Sequence, residues 1–559
     1  MTPDVGLQWL DYLAVVVYLA VTAGIVYWSS RKQDDTEDFF LGGRSMPWFA
    51  VGLSIMATLL STNTYLGAPG EMIKNGPAYV LGFMAYPLVA VVVLCVWIPF
   101  FMRLRLTSAY EYLERRFDYR ARLLGNLLFL GLRLGWMSMV VYTASLAMTR
   151  MVPGPLETVG QWFGVPKIFP VIVTVGLVAT IYGFFGGMRA VIWTDVLQAV
   201  MLFGGVLVII GFVAWEHGTW AGTWWREIVA HSGRPADVKL ATWDIAERST
   251  VLWTTLSIFF WNTCTHCSDQ VALQRYFTTS SLSAARRSFV VNIVSAATIG
   301  ILLSVAGLAL RYHYQINPES LIAVNLTPES GADEIMPHFY ATALPAGFGG
   351  LILVSFLCDA MQTLVSGVNS ISAIITTDVS ERREGSDKDD MRLARWLTIG
   401  VGAVATLLAV LATFVALQSK LTIFDMLPKM FNLFLGPLSA MFMVGMLVPR
   451  ARARTMLAAV TVALIFSFCW SWWPEIGRTL QWMGLESLGN RWLNVFGFDA
   501  KGMPRQPTVM LAVAAPCVVG FGVAWLLSWF ESGGDHPGRE YTWWNVTRRP
   551  PLSEPASQG

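Results

Sequence analysis

Three oxygen-bearing side chains fall at helical spacing in a predicted membrane-spanning stretch from Cys358 to Ser372, which also carries the hydroxyls and amide of Ser366, Asn369, Ser370 and Ser372. The three are Asp359, Gln362 and Thr363, at positions i, i+3 and i+4, which share one face of a helix. The Asp359 carbonyl, the amide and the hydroxyl would then converge, and hard oxygen ligands suit a small cation. The spacing therefore predicts a cation site on this helix.

The side chain of Asp359 allows further roles. A carboxylate within a hydrophobic span is costly and is usually functional, so it could neutralise the cation or carry a proton. It could equally pair with another buried charge, for which Arg133 in the apolar run Leu132–Trp136 is the candidate. Arg133 could instead contact a substrate carboxylate.

Two polar clusters interrupt other apolar stretches. The first places four polar residues in a row, Ser61–Thr64, followed by Gly67, Pro69 and Gly70. Adjacent polar residues point all round a helix, and those that faced lipid would lack partners. The pattern therefore favours an unwound segment that binds a ligand through freed backbone groups. The alternative is that small polar residues join neighbouring helices.

The second cluster, Trp261–Gln270, lies five predicted spans later and fits the second interrupted helix of an inverted repeat. Its Cys264 and Cys267 form a Cys-x-x-Cys pair around His266. A closed zinc site needs about four ligands, and the sequence offers no partner pair. We interpret His266 as a hydrogen-bonded residue near the inner end of its helix.

These clusters lie in a chain composed like a membrane protein. Of its 559 residues, 55% are hydrophobic and 14% charged, whereas soluble domains average about 45–50% and 25%. The stretch 343–377 is too long for one perpendicular span. Runs of about 20 apolar residues can cross a bilayer, and they predict 13 transmembrane helices, near residues 9–29, 47–68, 78–102, 123–147, 168–186, 190–214, 249–267, 288–311, 343–377, 394–417, 424–447, 456–473 and 507–530.

Basic residues predict the orientation, since cytoplasmic loops carry an excess of Lys and Arg. With the N-terminus outside, most of the 39 basic residues fall inside, among them Arg115, Arg275 and Arg382. We therefore expect a plasma (inner) membrane protein with a cytoplasmic C-terminus. Its tail, 531–559, is polar and rich in Pro and Gly, which is typical of disorder. The net charge of +2 and scattered basic residues argue against a nucleic-acid partner.

Several longer motifs occur in a fixed order between about residue 36 and residue 455. They are Ser54–Glu71 with its Gly-x-Pro-Gly ending, Tyr182–Gln198, Asp269–Tyr276 with Ser283–Arg287, and Met361–Ser370 with Asp378. Together they resemble the sodium:solute symporter family, which contains the sodium/glucose cotransporters. The resemblance implies an all-α, leucine-transporter-type fold whose inverted five-plus-five repeat core spans 36–455. One extra helix in 1–35 precedes this core and two helices in 456–530 follow it.

The resemblance also implies a sodium ion between the first and eighth core helices. Two carbonyls of the first helix correspond to Ala57 and Leu60, and the ligands of the eighth correspond to the Asp359 carbonyl, Gln362 and Thr363. Asp359 and Gln362 depart from the family's usual residues, which leaves the ion stoichiometry and proton substitution open.

A possible second ion site involves Asp195, which opens a span just after the Tyr182–Gln198 motif. In relatives that couple two sodium ions, this acidic position lies near the second site. The alternative is that Asp195 caps the cytoplasmic end of its helix or pairs with Arg189.

The same resemblance also implies which residues bind the solute. Asn262 keeps an amide of the sugar carriers, whereas Thr64, Phe83 and Thr265 stand where those carriers have an amide, an acidic residue and a gating aromatic. These four residues and Asn63 form the expected substrate site. Binding of a hexose in the same manner is not expected, and organic acids, amino acids or a differently bound sugar or polyol stay open.

The predicted function is sodium-coupled import of a small organic solute by alternating access. We expect a monomer in the lipid bilayer that needs no organic cofactor and is not an enzyme. A proton-coupled symporter of the same fold is the first alternative. A channel would need a continuous polar lining, and a transporter-like sensor would need an attached signalling domain, which the tail is too short to supply.

Overall fold

A computed structural model describes residues 9–548 except 31–35, 105, 152–157, 163, 186, 233–238, 249, 323, 325, 329–330, 346, 381–386, 420–422, 499–501, 503 and 532–537. Within these residues the regular structure is helical, apart from an isolated bridge between Phe498 and Pro504. The long helices are α1 Trp9–Ser30, α2 Trp48–Asn75, α3 Ala78–Phe101, α4 Tyr119–Met151, α5 Ile168–Phe185, α6 Met188–His217, α7 Val251–Ser268, α8 Leu282–Ile316, α9 Phe348–Ser380, α10 Asp387–Ser419, α11 Asp425–Leu447, α12 Ala453–Ser471 and α13 Ala514–Ser528.

Each predicted span overlaps one of these helices. In the described residues, ten of them are long and apolar enough to cross a membrane, while α5, α7 and α13 are not among the ten. The count of 13 crossings therefore stays a prediction. The long stretch 343–377 corresponds to α9, whose 33 residues measure about 50 Å along the axis, so that it extends beyond a hydrocarbon core of about 30 Å.

Burial separates central helices from peripheral ones. In the most apolar windows of α2 and α9, 83% and 89% of the residues are buried, against 22% for α1 and 33% for α12. Polar residues in lipid would lack hydrogen-bond partners. The central position of α2 and α9 removes the polar clusters of both helices from lipid.

Close backbone contact holds α2 against α8. A Cβ atom at Gly52 would lie 2.5 Å from the Ser288 carbonyl oxygen, and one at Gly307 would lie 2.7 Å from the Pro69 carbonyl oxygen. Small residues at both ends of the contact let the two backbones approach. The helix α2 thus packs against α8, and it also contacts α9.

The break predicted in α2 is present, whereas the one predicted in α7 is displaced. Ser61 has φ 47° and ψ 157°, so α2 consists of two helical halves. In contrast, α7 is continuous to Ser268, and the chain breaks at Asp269 before the short helix Gln270–Phe277. Asn262 and Thr265 donate hydrogen bonds to carbonyls one turn back, 2.8 and 2.7 Å away. Their polar groups are thereby satisfied inside an unbroken helix.

The prediction of disorder for 531–559 is wrong for residues 538–548. The short helices Arg539–Tyr541 and Trp543–Val546 lie there, and Val546 is buried. The indole of Trp543 donates a hydrogen bond of 3.1 Å to the Val96 carbonyl. Apolar side chains within this otherwise polar segment provide the surface that packs on the helix bundle.

Candidate functional site

The polar face of α9 carries three buried oxygen atoms that have no hydrogen-bond partner. They are Oδ1 of Asp359, Oε1 of Gln362 and Oγ1 of Thr363. The other Asp359 oxygen accepts a hydrogen bond from Thr62, and the Gln362 amide donates one of 3.0 Å to Thr58 on α2. Since buried polar atoms are nearly always hydrogen-bonded, three open oxygens on one face are suited to a bound cation.

The broken helix α2 lies against this surface and contacts it through Thr58 and Thr62. Its first half ends at Leu60, before the non-helical Ser61. The last four carbonyls of a helix have no intrahelical partner, and Ala57 and Leu60 both belong to that set. Both residues are buried. The elements that hold the five sequence-predicted sodium ligands therefore meet at one place, between the middle of α2 and α9.

The predicted pairing of Arg133 with Asp359 is wrong. Arg133 on α4 forms a buried ion pair with Asp269, with its Nε 3.1 Å from Oδ1. Arg133 is also not among the described residues that line the cavity described below. The break at Asp269 and this pair occur together, so that a carboxylate lies beside α4. Among the ion pairs between described residues, none contains Asp359.

A second buried ion pair lies beside the oxygen cluster. Asp195 on α6 accepts a 3.0 Å bond from Arg275, and both side chains are 0% exposed. Arg275 also donates to Ser54 at 2.7 Å and to Thr58 at 2.6 Å. Asp195 therefore pairs with Arg275 and not with Arg189, the alternative partner, and Arg275, which the sequence placed in a cytoplasmic connection, is buried. The Thr58 hydroxyl joins this pair to Gln362.

A cavity of about 140 Å³ adjoins the break in α2. Among its lining residues are four of the predicted substrate positions, Asn63, Thr64, Phe83 and Asn262. Thr265 is not among them, because its hydroxyl is turned back to the Trp261 carbonyl, 2.7 Å away. The wall also contains aromatic side chains that the sequence did not mark as substrate positions, namely Tyr79, Tyr86, Trp136, Trp261 and Phe431.

Asn63, which lines this cavity, carries a hydrogen-bond donor without a partner. Its Oδ1 accepts a 3.0 Å bond from Thr143, while its Nδ2 is buried without a partner. The second half of α2 begins beside it, at Thr62, after the non-helical Ser61. The first amide groups of a helix lack intrahelical acceptors and carry a partial positive charge. This end of the cavity is therefore built to receive an acceptor or an anion.

This chain is similar to several known proteins in sequence and in structure. The model of the sodium:solute symporter family matches residues 39–462. The sodium/sialic acid symporter NanT of Aliivibrio fischeri is 30% identical over 82% of this chain and 87% of its own length. The sodium-coupled monocarboxylate transporter 1 of Mus musculus is 30% identical over 84% and 74%. A solved substrate-bound, outward-open structure of a Na⁺-coupled sialic acid symporter has a TM-score of 0.75 at 25% identity, covering 94% of this chain and 98% of that one.

The chain belongs to the sodium:solute symporter family. The predicted family, the all-α leucine-transporter-type fold and the sodium-coupled symport of a solute are thereby confirmed. The protein is a multi-pass membrane transporter and not an enzyme. Sodium is its coupling ion and is carried as a co-substrate.

In this symporter, one backbone break borders both the oxygen cluster and the cavity. Leu60 belongs to the carbonyl end that faces the cluster, and Leu60 and Ser61 both line the cavity. A change in conformation at Ser61 therefore moves groups of both places together. The sequence did not mark the residues that connect α2 to α6 beside the cluster, which are Ser54, Thr58 and Arg275. Hydropathy does not distinguish a buried arginine from one in a loop.

Proposed function

We propose that this symporter imports a small organic acid together with sodium across the plasma membrane, with its N-terminus outside and its C-terminus in the cytoplasm. The observation that carries the proposal is the division of α2 at Ser61. The break presents free carbonyls to one side and free amide groups to the other, so that one helix offers ligands to a cation and to an anion.

Sodium binds at the carbonyl side in this proposal. Its ligands are the carbonyls of Ala57 and Leu60, Asp359, and the side-chain oxygens of Gln362 and Thr363. The open oxygens of the three α9 residues support this assignment. A buried carboxylate without a basic partner is stabilised by a bound cation, because an isolated charge in a low-dielectric interior is costly. Asp195 keeps one buried oxygen without a partner and is the candidate for a second ion site.

The solute carboxylate binds at the amide side. Asn63 supplies an unpartnered donor there, and Thr64, Phe83 and Asn262 line the same cavity. No charged side chain is among the described residues that line it, so neutral donors and the helix terminus would hold the anion. The aromatic walls suit an apolar or ring-shaped remainder. Two relatives are named as carriers of sialic acid and of monocarboxylates, which are acids.

The break in α2 adjoins both the sodium site and the solute site, and this shared element couples the binding of the two ligands. Sodium on the carbonyl side stabilises the divided form of α2, and the same form presents the amide groups to the solute. A ligand that preorganises the site of another raises its affinity, and by linkage the effect is reciprocal. Each ligand should therefore increase the affinity of the symporter for the other.

Uptake by proteoliposomes tests the proposed solute class. Labelled sialic acid, a short monocarboxylate, a neutral sugar and a neutral amino acid are offered with an inward gradient of sodium or of choline. Sodium-dependent accumulation of at least one acid, above that of the sugar and the amino acid, is expected. Preferred accumulation of the neutral sugar or the amino acid would overturn the proposal of an acid while leaving sodium symport intact.

The substitution Asn63→Asp tests the amide side. It keeps the acceptor for Thr143 and replaces the free donor by a negative charge, so that kcat/KM for the acid should fall about ten- to hundredfold, the equivalent of one charge-assisted hydrogen bond. Sodium-dependent thermal stabilisation should persist. Asn490→Asp, on the exposed helix Glu486–Asn494, is the matched control. Unchanged uptake in Asn63→Asp would place the carboxylate elsewhere.

A further inference from the structure

A compact group of potential metal ligands lies apart from the transport site, at the end of the bundle where α6 and α8 finish. It consists of Glu216 and His217 on the last turn of α6 and His313 near the end of α8. This end also holds the helix Ala332–Thr342 and is extracellular in the proposed orientation. We propose that these three side chains form a binding site for a divalent transition metal ion of the zinc class.

The distances between the three ligand atoms carry the proposal. His217 Nε2 lies 3.1 Å from His313 Nδ1, His313 Nδ1 lies 3.1 Å from Glu216 Oε2, and His217 Nε2 lies 3.6 Å from the same oxygen. Tetrahedral zinc with bonds of about 2.0–2.1 Å separates its ligands by about 3.3–3.4 Å. The three atoms therefore already form a triangle of the size that one face of a zinc tetrahedron requires.

The chemistry of the ligands selects the ion. Two imidazoles and one carboxylate are a zinc ligand set that leaves a fourth position for water or another ligand. Magnesium and calcium prefer oxygen ligands alone and in larger number. The side chain of Glu216 is 37% exposed, while those of His217 and His313 are 14% and 8% exposed. An ion can therefore reach the group from solvent and lose most of its water on the histidine side.

Aromatic neighbours fix both imidazoles. The His217 ring packs edge to face against Tyr312 at 5.4 Å, and the His313 ring contacts Tyr314 at 4.9 Å and Phe339 at 5.2 Å. Gly218, with φ 61°, ends α6 directly after His217. Ligands held by packing lose little conformational entropy when an ion binds. The bound ion would tie the end of α6 to that of α8.

Metal titration of the purified symporter tests the site. The protein is freed of any histidine tag, stripped with a chelator and titrated with ZnCl₂ and, separately, with MgCl₂. One zinc site per chain is expected, with no comparable magnesium binding. Each of His217→Ala, His313→Ala and Glu216→Gln should weaken the zinc affinity at least about tenfold, which corresponds to about 1.4 kcal/mol. Failure of the wild type to bind zinc would overturn the proposal.

A neighbouring histidine supplies the matched control. His338 lies on the helix Ala332–Thr342, near Tyr314 but outside the three-residue group, and His338→Ala should keep the wild-type zinc affinity. Zinc should also raise the Tm of the wild type and of His338→Ala by an amount that grows with the free zinc concentration, and raise that of Glu216→Gln less at the same concentration. Equal zinc affinity in the wild type and in all three ligand variants would place the ion elsewhere. Neither readout depends on transport or on the identity of the solute.

Discussion

Thr363 offers the most direct test of the proposed sodium site at the scale of one residue. Its buried hydroxyl has no hydrogen-bond partner, so that Thr363→Val removes one ligand oxygen and keeps the shape of the side chain. The half-saturating sodium concentration should rise about ten- to hundredfold, as expected for loss of about 1.5–3 kcal/mol. Initial uptake rates against sodium concentration, at fixed solute, provide the measurement.

Two further variants separate the ion from general packing. Thr363→Ser returns the oxygen and should restore the sodium dependence. Thr376→Val is the matched control, because Thr376 lies on the same helix, is buried and also has an unpartnered hydroxyl. If Thr363→Val and Thr376→Val give the same sodium dependence as the wild type, the ion site lies elsewhere in the symporter.

A further variant tests whether the charge of Asp359 contributes to sodium binding. Asp359→Asn keeps the backbone carbonyl and deletes the carboxylate that accepts from Thr62. If the charge binds sodium, the variant should need at least about tenfold more sodium for half-maximal uptake, a loss of about 1.4 kcal/mol or more. Uptake is measured at two pH values with and without sodium. Wild-type uptake that follows the proton gradient in the absence of sodium, and is lost in the variant, would instead assign proton transfer to Asp359.

At the scale of secondary structure, the break at Asp269 depends on a buried charge pair between that residue and Arg133 on α4. The Val271 amide donates a hydrogen bond of 2.9 Å to Asp269, and Asp269→Asn keeps an oxygen that can accept it. The substitution leaves Arg133 buried without its counter-charge. Removing one partner of a buried pair costs about 3–5 kcal/mol. We expect a lower free energy of unfolding in detergent, measured by thermal or chemical denaturation.

The double variant Arg133→Gln/Asp269→Asn is the control for this element. It removes both charges and leaves two neutral groups that can bond to each other, so that most of the lost stability should return. A double variant no more stable than Asp269→Asn would show that the pair is not what holds the break in place.

At the scale of the whole molecule, a network of charged residues joins three separate segments. Arg248, ahead of α7, pairs with Glu71 at the end of α2 and with Asp425 at the start of α11. Asp333, on the helix Ala332–Thr342, lies next to them and accepts a 3.0 Å bond from the Ile423 amide. Burial, together with the nearby carboxylates of Glu71 and Asp425, raises the pKa of Asp333 to about 7.

A pH dependence of stability follows from the raised pKa of Asp333. An unfolded aspartate has a pKa of about 3.9, so the folded protein binds this proton more tightly. The stabilisation is complete below about pH 4 and is lost as the pH rises through about 7. Between pH 5.5 and pH 8 the Tm of the wild type should fall more than that of Asp333→Asn. Parallel curves for the two proteins would contradict this assignment.

The membrane orientation is a further prediction at the scale of the whole molecule. It depends on the excess of Lys and Arg in loops assigned to the inside. A reporter that is active only in the cytoplasm, fused after Gly559, should be active, and the same reporter inserted into the loop between α6 and α7 should be inactive. The reverse pattern would invert the proposed topology, whereas activity at both positions or at neither would change the number of crossings between them.

The sequence alone determined the family, the helical membrane fold and the position of the break in α2. Hydrophobic length predicts helices because each span must satisfy its own backbone in lipid, and four adjacent polar residues at Ser61–Thr64 cannot all face one neighbour. The helical spacing of Asp359, Gln362 and Thr363 is a local property, so their common face could be read directly.

The tertiary structure decided which charges meet. Arg133 pairs with Asp269 and Arg275 with Asp195, across sequence separations of 136 and 80 residues, and no local pattern encodes such pairs. The ordered segment 538–548 and the Glu216, His217 and His313 group also depend on surfaces from distant helices. The physical reason is that periodicity records which face of a helix is apolar, whereas an ion pair or a metal ligand set requires side chains from different helices to meet within a few ångströms, a geometry set by packing.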